Sequence, residues 1–316
     1  MKNKSAITAP VFVCVILLLL TVSDKLLELI LKGGGNDMTF SAGVVQLFIF
    51  AIPAAFYLRV RNADLMDCAC IRPVPLVTVP FVAAAAFTYF FTAAIILFVQ
   101  SRFPEIFAGS VNTAITDSSA SPFSAVMSYV LLPAIVEEFF FRSILVSDYS
   151  RYGGPSAVII SALFFAMIHF SFVQFPLYFI LGMILALMTY VTKSSFPAFF
   201  VHLANNAAVI YLGGKTGEFL RGTSSSIVLI FLLVVAFMVS FLSMLSAMED
   251  IYERRSILYE RGELDGSRRD ALSKMTRAGR VEGAEEPIPR RVSGAFISPT
   301  LLLAAVLFVL ITIDII

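Results

Sequence analysis

Residues 131–146 read Leu131-Leu-Pro-Ala-Ile-Val-Glu137-Glu138-Phe-Phe-Phe-Arg142-Ser-Ile-Leu-Val146, and they place two adjacent carboxylates and an arginine in an otherwise apolar helical stretch. Each ionisable side chain near the centre of a transmembrane helix opposes insertion by roughly 2.5 to 3.5 kcal/mol. Three such side chains within two turns therefore need partners or water. Charge inside a membrane helix makes this stretch the first candidate for a functional site.

The composition of the whole chain is typical of a membrane protein. The chain has 316 residues, of which 59% are hydrophobic and 14% charged, and its mean hydropathy is +0.89. Apolar runs near the ~20 residues that span a bilayer recur along most of its length. These runs predict an all-α fold, a polytopic transmembrane helical bundle of about eight or nine spans with a charged cytoplasmic segment.

Apolar runs and their breakers also predict where the spans lie and how the chain divides. The spans are expected near residues 6–31, 38–58, 75–99, 124–147, 155–171, 174–192, 196–213, 225–247 and 298–316. Pro155, Pro176 and Pro197 support three of these starts, because proline suits a first helical turn. The predicted units are N-terminal transmembrane helices (1–120), a transmembrane core with the charged stretch (121–247), a charged and partly disordered segment (248–297) and a C-terminal hydrophobic helix (298–316).

The distribution of positive charge predicts the orientation in the membrane. Basic residues lie before the first span and in alternate loops, at Lys2, Lys4, Arg59, Arg61, Arg72, Arg151 and Lys193, and ten more lie between residues 254 and 291. The positive-inside rule then gives a cytoplasmic N-terminus and a cytoplasmic charged segment. We expect a multi-pass protein of a bacterial plasma membrane. The run from Ala6 to Val22 resembles a signal peptide but lacks a clean cleavage site, so it is interpreted as a retained span.

The net charge argues against a nucleic-acid partner, and the cysteine content argues against a disulfide framework or a structural zinc site. A formal net charge of +1 gives no overall electrostatic attraction for nucleic acid, so no nucleic-acid partner is expected. The expected surroundings are the lipid bilayer, as the hydropathy indicates. Cys14, Cys68 and Cys70 form neither a disulfide framework nor a four-ligand zinc pattern.

Helical geometry assigns different environments to the two carboxylates. Glu138 and Arg142 are four residues apart, so they share a helix face and can pair. Glu137 is rotated from Glu138 by about 100° and is expected to face a cavity as a general base.

Both histidines of the chain also lie in hydrophobic runs. They occur in Phe165-Ala-Met-Ile-His169 and in His202-Leu-Ala-Asn-Asn206, with Asn205 a rival to Asn206. A lone intramembrane histidine is usually a helix-to-helix hydrogen bond. Two glutamates, an arginine, two histidines and an asparagine on three helices instead favour one shared site.

These ordered motifs resemble the CPBP intramembrane proteases, also called the Abi or CAAX amino-terminal protease family, which includes the type II CAAX prenyl endopeptidases. The family patterns Glu-Glu-x-x-x-Arg, Phe-x-x-x-His and His-x-x-x-Asn occur intact and in order across residues 124–213. The resemblance implies peptide-bond hydrolysis within the membrane. Glu137 and His169 match the residues that activate water, and His202 and Asn206 match those that stabilise the oxyanion. Glu138, Arg142 and Phe165 match supporting positions.

The resemblance leaves the cofactor open, since the family has also been described as metalloproteases. A zinc ion would need ligands from separate helices, Glu137, His169 and His202, because the chain lacks His-Glu-x-x-His. We therefore favour a metal-independent glutamate mechanism.

The leading hypothesis is an intramembrane endopeptidase acting on a peptide or protein, prenylated or not. Two alternatives stay open: an ion-coupled membrane transporter, which also buries charges at mid-membrane, and a non-proteolytic scaffold or bacteriocin-immunity protein.

Overall fold

The computed structural model describes residues 9–33, 37–61, 73–103, 121–222, 226–260, 296 and 298–313. Within these ranges the chain forms ten helices and no β-strand, so the all-α prediction is confirmed. The helices are α1 (Ala9–Thr21), α2 (Ser23–Lys32), α3 (Met38–Arg61), α4 (Val79–Arg102), α5 (122–149), α6 (Gly154–Met167), α7 (Phe175–Thr192), α8 (Phe196–Gly222), α9 (Ser226–Glu260) and α10 (Pro299–Thr312).

Several of these helices are long and apolar enough to cross a membrane. Among the described residues there are four, Met38–Val60, Leu76–Arg102, Phe175–Thr192 and Ile227–Arg254, and α1 with α2 forms a fifth if the bent pair is one span. Three shorter apolar helices are Gly154–Met167, Phe196–Leu212 and Pro299–Thr312. The chain is an integral membrane protein, and the count of eight or nine spans stays a prediction.

The first predicted span is not one straight helix. It breaks at Val22, where α1 and α2 meet at 55°. The physical reason lies in α2, whose sequence Ser-Asp-Lys-Leu-Leu-Glu-Leu-Ile-Leu-Lys is strongly amphipathic, with an exposed Lys32–Glu28 ion pair at 2.6 Å. A helix with one polar face is stable where that face reaches water, and α1 is apolar all round.

Other helix ends also differ from the sequence predictions. Helix α6 ends at Met167, four residues before the predicted 171. The backbone tightens there, because the N–H groups of His169 and Phe170 donate to carbonyls three residues earlier. Phe170 then has a positive φ of 45°, which does not continue a helix. Helices α8 and α9 continue to Gly222 and Glu260, past the predicted 213 and 247. Neither extension contains a proline to stop it.

Part of the sequence predictions falls outside the described residues. The predicted charged segment is described only at 248–260, within α9, and at residue 296, so the disorder expected for it is not tested. Cys68 and Cys70 also lie outside the described ranges.

Helix α5 is continuous but irregular. Two π-helical segments, Val126–Leu131 and Glu138–Leu145, flank the α-helical turn Leu132–Glu137. The Leu132 N–H donates to Met127 O and the Val146 N–H to Phe141 O, in each case five residues back. Pro133 follows the first π segment, and its missing N–H removes one α-helical bond there. Single π turns are frequent at functional sites.

Helix α3 packs alongside α5 and runs in the same direction. Near one end Ser124 Oγ donates to Asp37 Oδ2, and further along the ring of Phe50 lies edge-on to Phe140 and Phe141 at 6.2 and 6.1 Å. Gly43 makes the closest backbone approach: a Cβ there would lie 2.9 Å from Ser128 Cα. A glycine at this position therefore lets α3 pack tightly against α5.

Helix α10 joins the N-terminal and central parts of the bundle. The Cys14 thiol on α1 contacts the carbonyl oxygen of Thr300 at 3.6 Å. Phe308 packs against Phe172 and Phe175, with ring centroids 5.2 and 5.5 Å apart, beside the turn between α6 and α7. This packing supports the turn that carries His169.

Candidate active site

The charged residues of α5 are buried and lie at a change of helix type. Glu137 ends the α-helical turn, and Glu138 and Arg142 lie in the second π segment. Their exposed fractions are 5%, 2% and 1%. Arg142 Nε lies 3.3 Å from Glu138 Oε2, so the two charges reduce each other's desolvation cost.

His202, on α8, lies between the two carboxylates. Its Nδ1 is 2.8 Å from Glu138 Oε1, and its Nε2 is 3.9 Å from Glu137 Oε2. Because an ionised carboxylate can only accept, the short contact assigns the hydrogen to Nδ1. Nε2 then has a hydrogen to donate only when the ring is an imidazolium. Glu138 therefore contacts both Arg142 and His202, which joins α5 to α8.

His169 lies in the turn after α6 and not in the helix itself. Its Nδ1 is 2.8 Å from the carbonyl oxygen of Phe165, and its ring stacks on Tyr178 with centroids 3.5 Å apart and an interplanar angle of 17°. A carbonyl can only accept, so Nδ1 carries the hydrogen, and Nε2 of the neutral ring keeps a free lone pair. The ring is thus oriented through Nδ1, and Nε2 can accept a hydrogen bond.

Phe165 is the apolar centre of the group. Its ring lies edge-on to His169 at 5.1 Å and to His202 at 5.7 Å, and the guanidinium carbon of Arg142 lies 4.2 Å from its centroid. Cation–π contact of this kind stabilises a desolvated guanidinium. Gly182 on α7 allows this packing, because a Cβ there would lie 3.0 Å from Phe165 Cδ1.

Two side-chain contacts expected for a shared site are absent among the described residues. No hydrogen bond or ion pair between described residues joins Glu137 to His169. Asn206 is half-buried one turn after His202, and Asn205 is half-buried beside it. Neither amide forms a hydrogen bond with another described side chain.

The structure adds residues that the sequence predictions missed. Gln46 on α3 donates from Nε2 to Glu137 Oε1 at 3.1 Å. Tyr178 stacks on His169, and Tyr89 of α4 is a second buried tyrosine of the bundle, 2% exposed. Gln46 could have been noticed as an amide inside an apolar span. Two tyrosines among many aromatic residues offered no such signal.

A zinc site would require the side chains of its candidate ligands to converge. Among the described residues, no three His, Cys, Asp or Glu side chains lie close enough together to hold a metal ion. The candidate set Glu137, His169 and His202 is therefore not assembled as a metal site. The metal-independent mechanism stays a prediction.

Comparison with known proteins identifies the family of this region. Residues 119–208 match the model of the family described as type II CAAX prenyl endopeptidase Rce1-like. The chain contains an Rce1-like domain. The match confirms the resemblance seen in the motifs, and it includes every residue from Glu137 to Asn206. The family of this model is one of CAAX-type proteases.

The remainder of the chain lies outside the matched region, including α1 to α4 and α9 and α10. The comparisons with curated proteins and with solved structures find no match.

Proposed function

We propose that this protein is an intramembrane endopeptidase that hydrolyses a peptide bond of a membrane-associated peptide or protein, prenylated or not. The observation that carries the proposal is the difference between two neighbouring buried carboxylates. Glu138 contacts Arg142 and His202. Glu137 accepts a hydrogen bond on Oε1 from Gln46, and no described side chain donates to its Oε2. Glu138 is therefore held by two partners, whereas Oε2 of Glu137 is available to accept a proton.

In the proposed mechanism Glu137 is the general base. Its Oε2 removes one proton from a water molecule, while the other O–H of that water donates a hydrogen bond to His169 Nε2, which orients the water. The water oxygen then attacks the peptide carbonyl carbon. Glu137 afterwards transfers the proton to the departing amine, which completes hydrolysis without a covalent enzyme intermediate.

The oxyanion of the tetrahedral intermediate needs hydrogen-bond donors. In the proposal these are the Nε2–H of His202 in its imidazolium form and the amide of Asn206 on the same helix. Glu138 supports this role because it accepts from Nδ1 of His202 at 2.8 Å. Arg142 compensates the charge of Glu138 and does not contact the substrate.

The first test measures cleavage by the purified protein. Quenched-fluorescence peptides, each with and without a farnesyl group, are incubated with wild type and with His169→Ala. We expect wild type to cleave at least one peptide, and His169→Ala to lower kcat about 100-fold, because the water loses its second partner. Val173→Ala, in the same turn and 38% exposed, is the matched control and should leave kcat unchanged.

Three outcomes would contradict parts of this proposal. Full activity of His169→Ala would remove His169 from the mechanism. Loss of activity with a chelator and its return with zinc would overturn the metal-independent mechanism. Ion flux in proteoliposomes that depends on Glu137, without cleavage of any peptide, would favour a transporter.

We also propose a bacterial plasma membrane as the location, with the N-terminus in the cytoplasm, on the basis of the charge distribution. This orientation puts the loop after α4 outside the cell and the end of α9 inside. A fluorescent-protein fusion after residue 260 should fluoresce, and an alkaline-phosphatase fusion after residue 103 should be active. The opposite pattern would invert the topology.

A further inference from the structure

We infer that Gln46, which lies outside the matched Rce1-like domain, is a positioning residue that selects which oxygen of Glu137 acts as the base. The inference rests on the proposed function. The contact joins residues 91 positions apart in the chain, from Gln46 Nε2 to Glu137 Oε1 at 3.1 Å. It brings an amide donor from α3 to a carboxylate that is 5% exposed.

The packing of α3 holds this amide against α5. Gly43, Gln46 and Phe50 follow one another at three and four residues and so share one helix face. Gly43 approaches the backbone of Ser128, and the buried Phe50 packs on Phe140 and Phe141. Gln46 lies between these two anchors. Its position relative to Glu137 is therefore set by helix packing on both sides.

A single donor makes the two carboxylate oxygens different. Oε1 accepts from Gln46, and Oε2 faces Nε2 of His202 at 3.9 Å, too far for a hydrogen bond. Rotation of the carboxylate out of this plane breaks its bond to the amide, and a half turn only exchanges two equivalent oxygens. Oε2 is thus directed toward the side where His202 lies, and this is the oxygen that the proposed mechanism uses.

The alternative role for Gln46 is purely structural, a polar contact that joins α3 to α5. Both roles predict some loss of stability when the amide is removed. Only the positioning role predicts a lower kcat with an unchanged KM, because substrate binding does not involve Gln46 whereas the geometry of proton removal does.

The test uses two substitutions in the full-length protein. Gln46→Met keeps the length of the side chain but removes the donor, and it should lower kcat about 10- to 100-fold with KM unchanged. Gln46→Glu restores a donor only while the new carboxyl group is protonated. Its activity relative to wild type should therefore be higher at about pH 5 than at about pH 8. Phe48→Leu, on the exposed side of α3, is the control and should leave kcat unchanged.

The outcomes separate this inference from the proposed function. Wild-type kcat in Gln46→Met, together with loss of cleavage in Glu137→Gln, would overturn the role of Gln46 alone. Equal impairment of Gln46→Glu at every pH would also overturn it. If wild type cleaves nothing, the proposed function fails. The infrared carboxyl band of Glu137, assigned from the Glu137→Gln difference spectrum, then decides: a shift in Gln46→Met supports the contact, and an unchanged band overturns it.

Discussion

Glu137→Gln is expected to lower the rate of peptide cleavage by at least about 100-fold while leaving the protein folded. The substituted amide is nearly the same size as the carboxylate and keeps an oxygen that can accept from Gln46 Nε2, which lies 3.1 Å from Oε1 in wild type. It cannot remove a proton from water. Loss of a general base lowers the rate by about 10²- to 10⁴-fold, so kcat should fall by at least that lower factor.

The measurement is kcat on the best peptide found for wild type, together with the thermal unfolding midpoint in the same detergent. Glu28→Gln is the matched control, because Glu28 lies on α2 with its side chain 63% exposed, far in the chain from Glu137. We expect wild-type activity from this control. Cleavage by Glu137→Gln at even a tenth of the wild-type rate would mean that another group is the base.

Arg142→Met is expected to have the largest effect on stability. The guanidinium is 1% exposed and lies against Glu138 and the face of Phe165. Methionine fills much of the volume but leaves the Glu138 carboxylate buried without its arginine. Breaking a buried ion pair by removing one partner lowers the free energy of unfolding by about 3–5 kcal/mol. We expect a loss of this size in denaturant unfolding of the purified protein.

A second substitution tests whether uncompensated charge is the cause. Glu138→Gln combined with Arg142→Met removes both charges, so the double variant should be more stable than Arg142→Met alone. Lys32→Met is the control for the same four-residue spacing at the surface. Its partner is Glu28 and its side chain is 72% exposed, so its effect should stay below about 1 kcal/mol. An equal loss in the single and double variants would show that packing, and not charge, determines the cost.

The candidate site shows which contacts follow from local sequence and which do not. The Glu138–Arg142 pair is local, since a four-residue spacing brings two side chains together on any helix. The contact of His202 with Glu138 joins residues 64 apart, and that of Gln46 with Glu137 joins residues 91 apart. No spacing rule applies at such separations. The motif resemblance predicted that His202 belongs to the site but not that Glu138 orients it.

The sequence alone determined the helical class, the membrane environment and most helix starts, because proline position and apolar run length act within a single helix. It also identified the charged stretch of α5 and its family. Only the tertiary structure decided that α6 ends before His169, that α5 contains two π segments, and that α3 supplies an amide to Glu137. These spans are apolar on nearly every face, so hydrophobicity does not mark which face meets a neighbour. In lipid that choice depends on close packing and on hydrogen bonds between helices, and both exist only after the helices assemble.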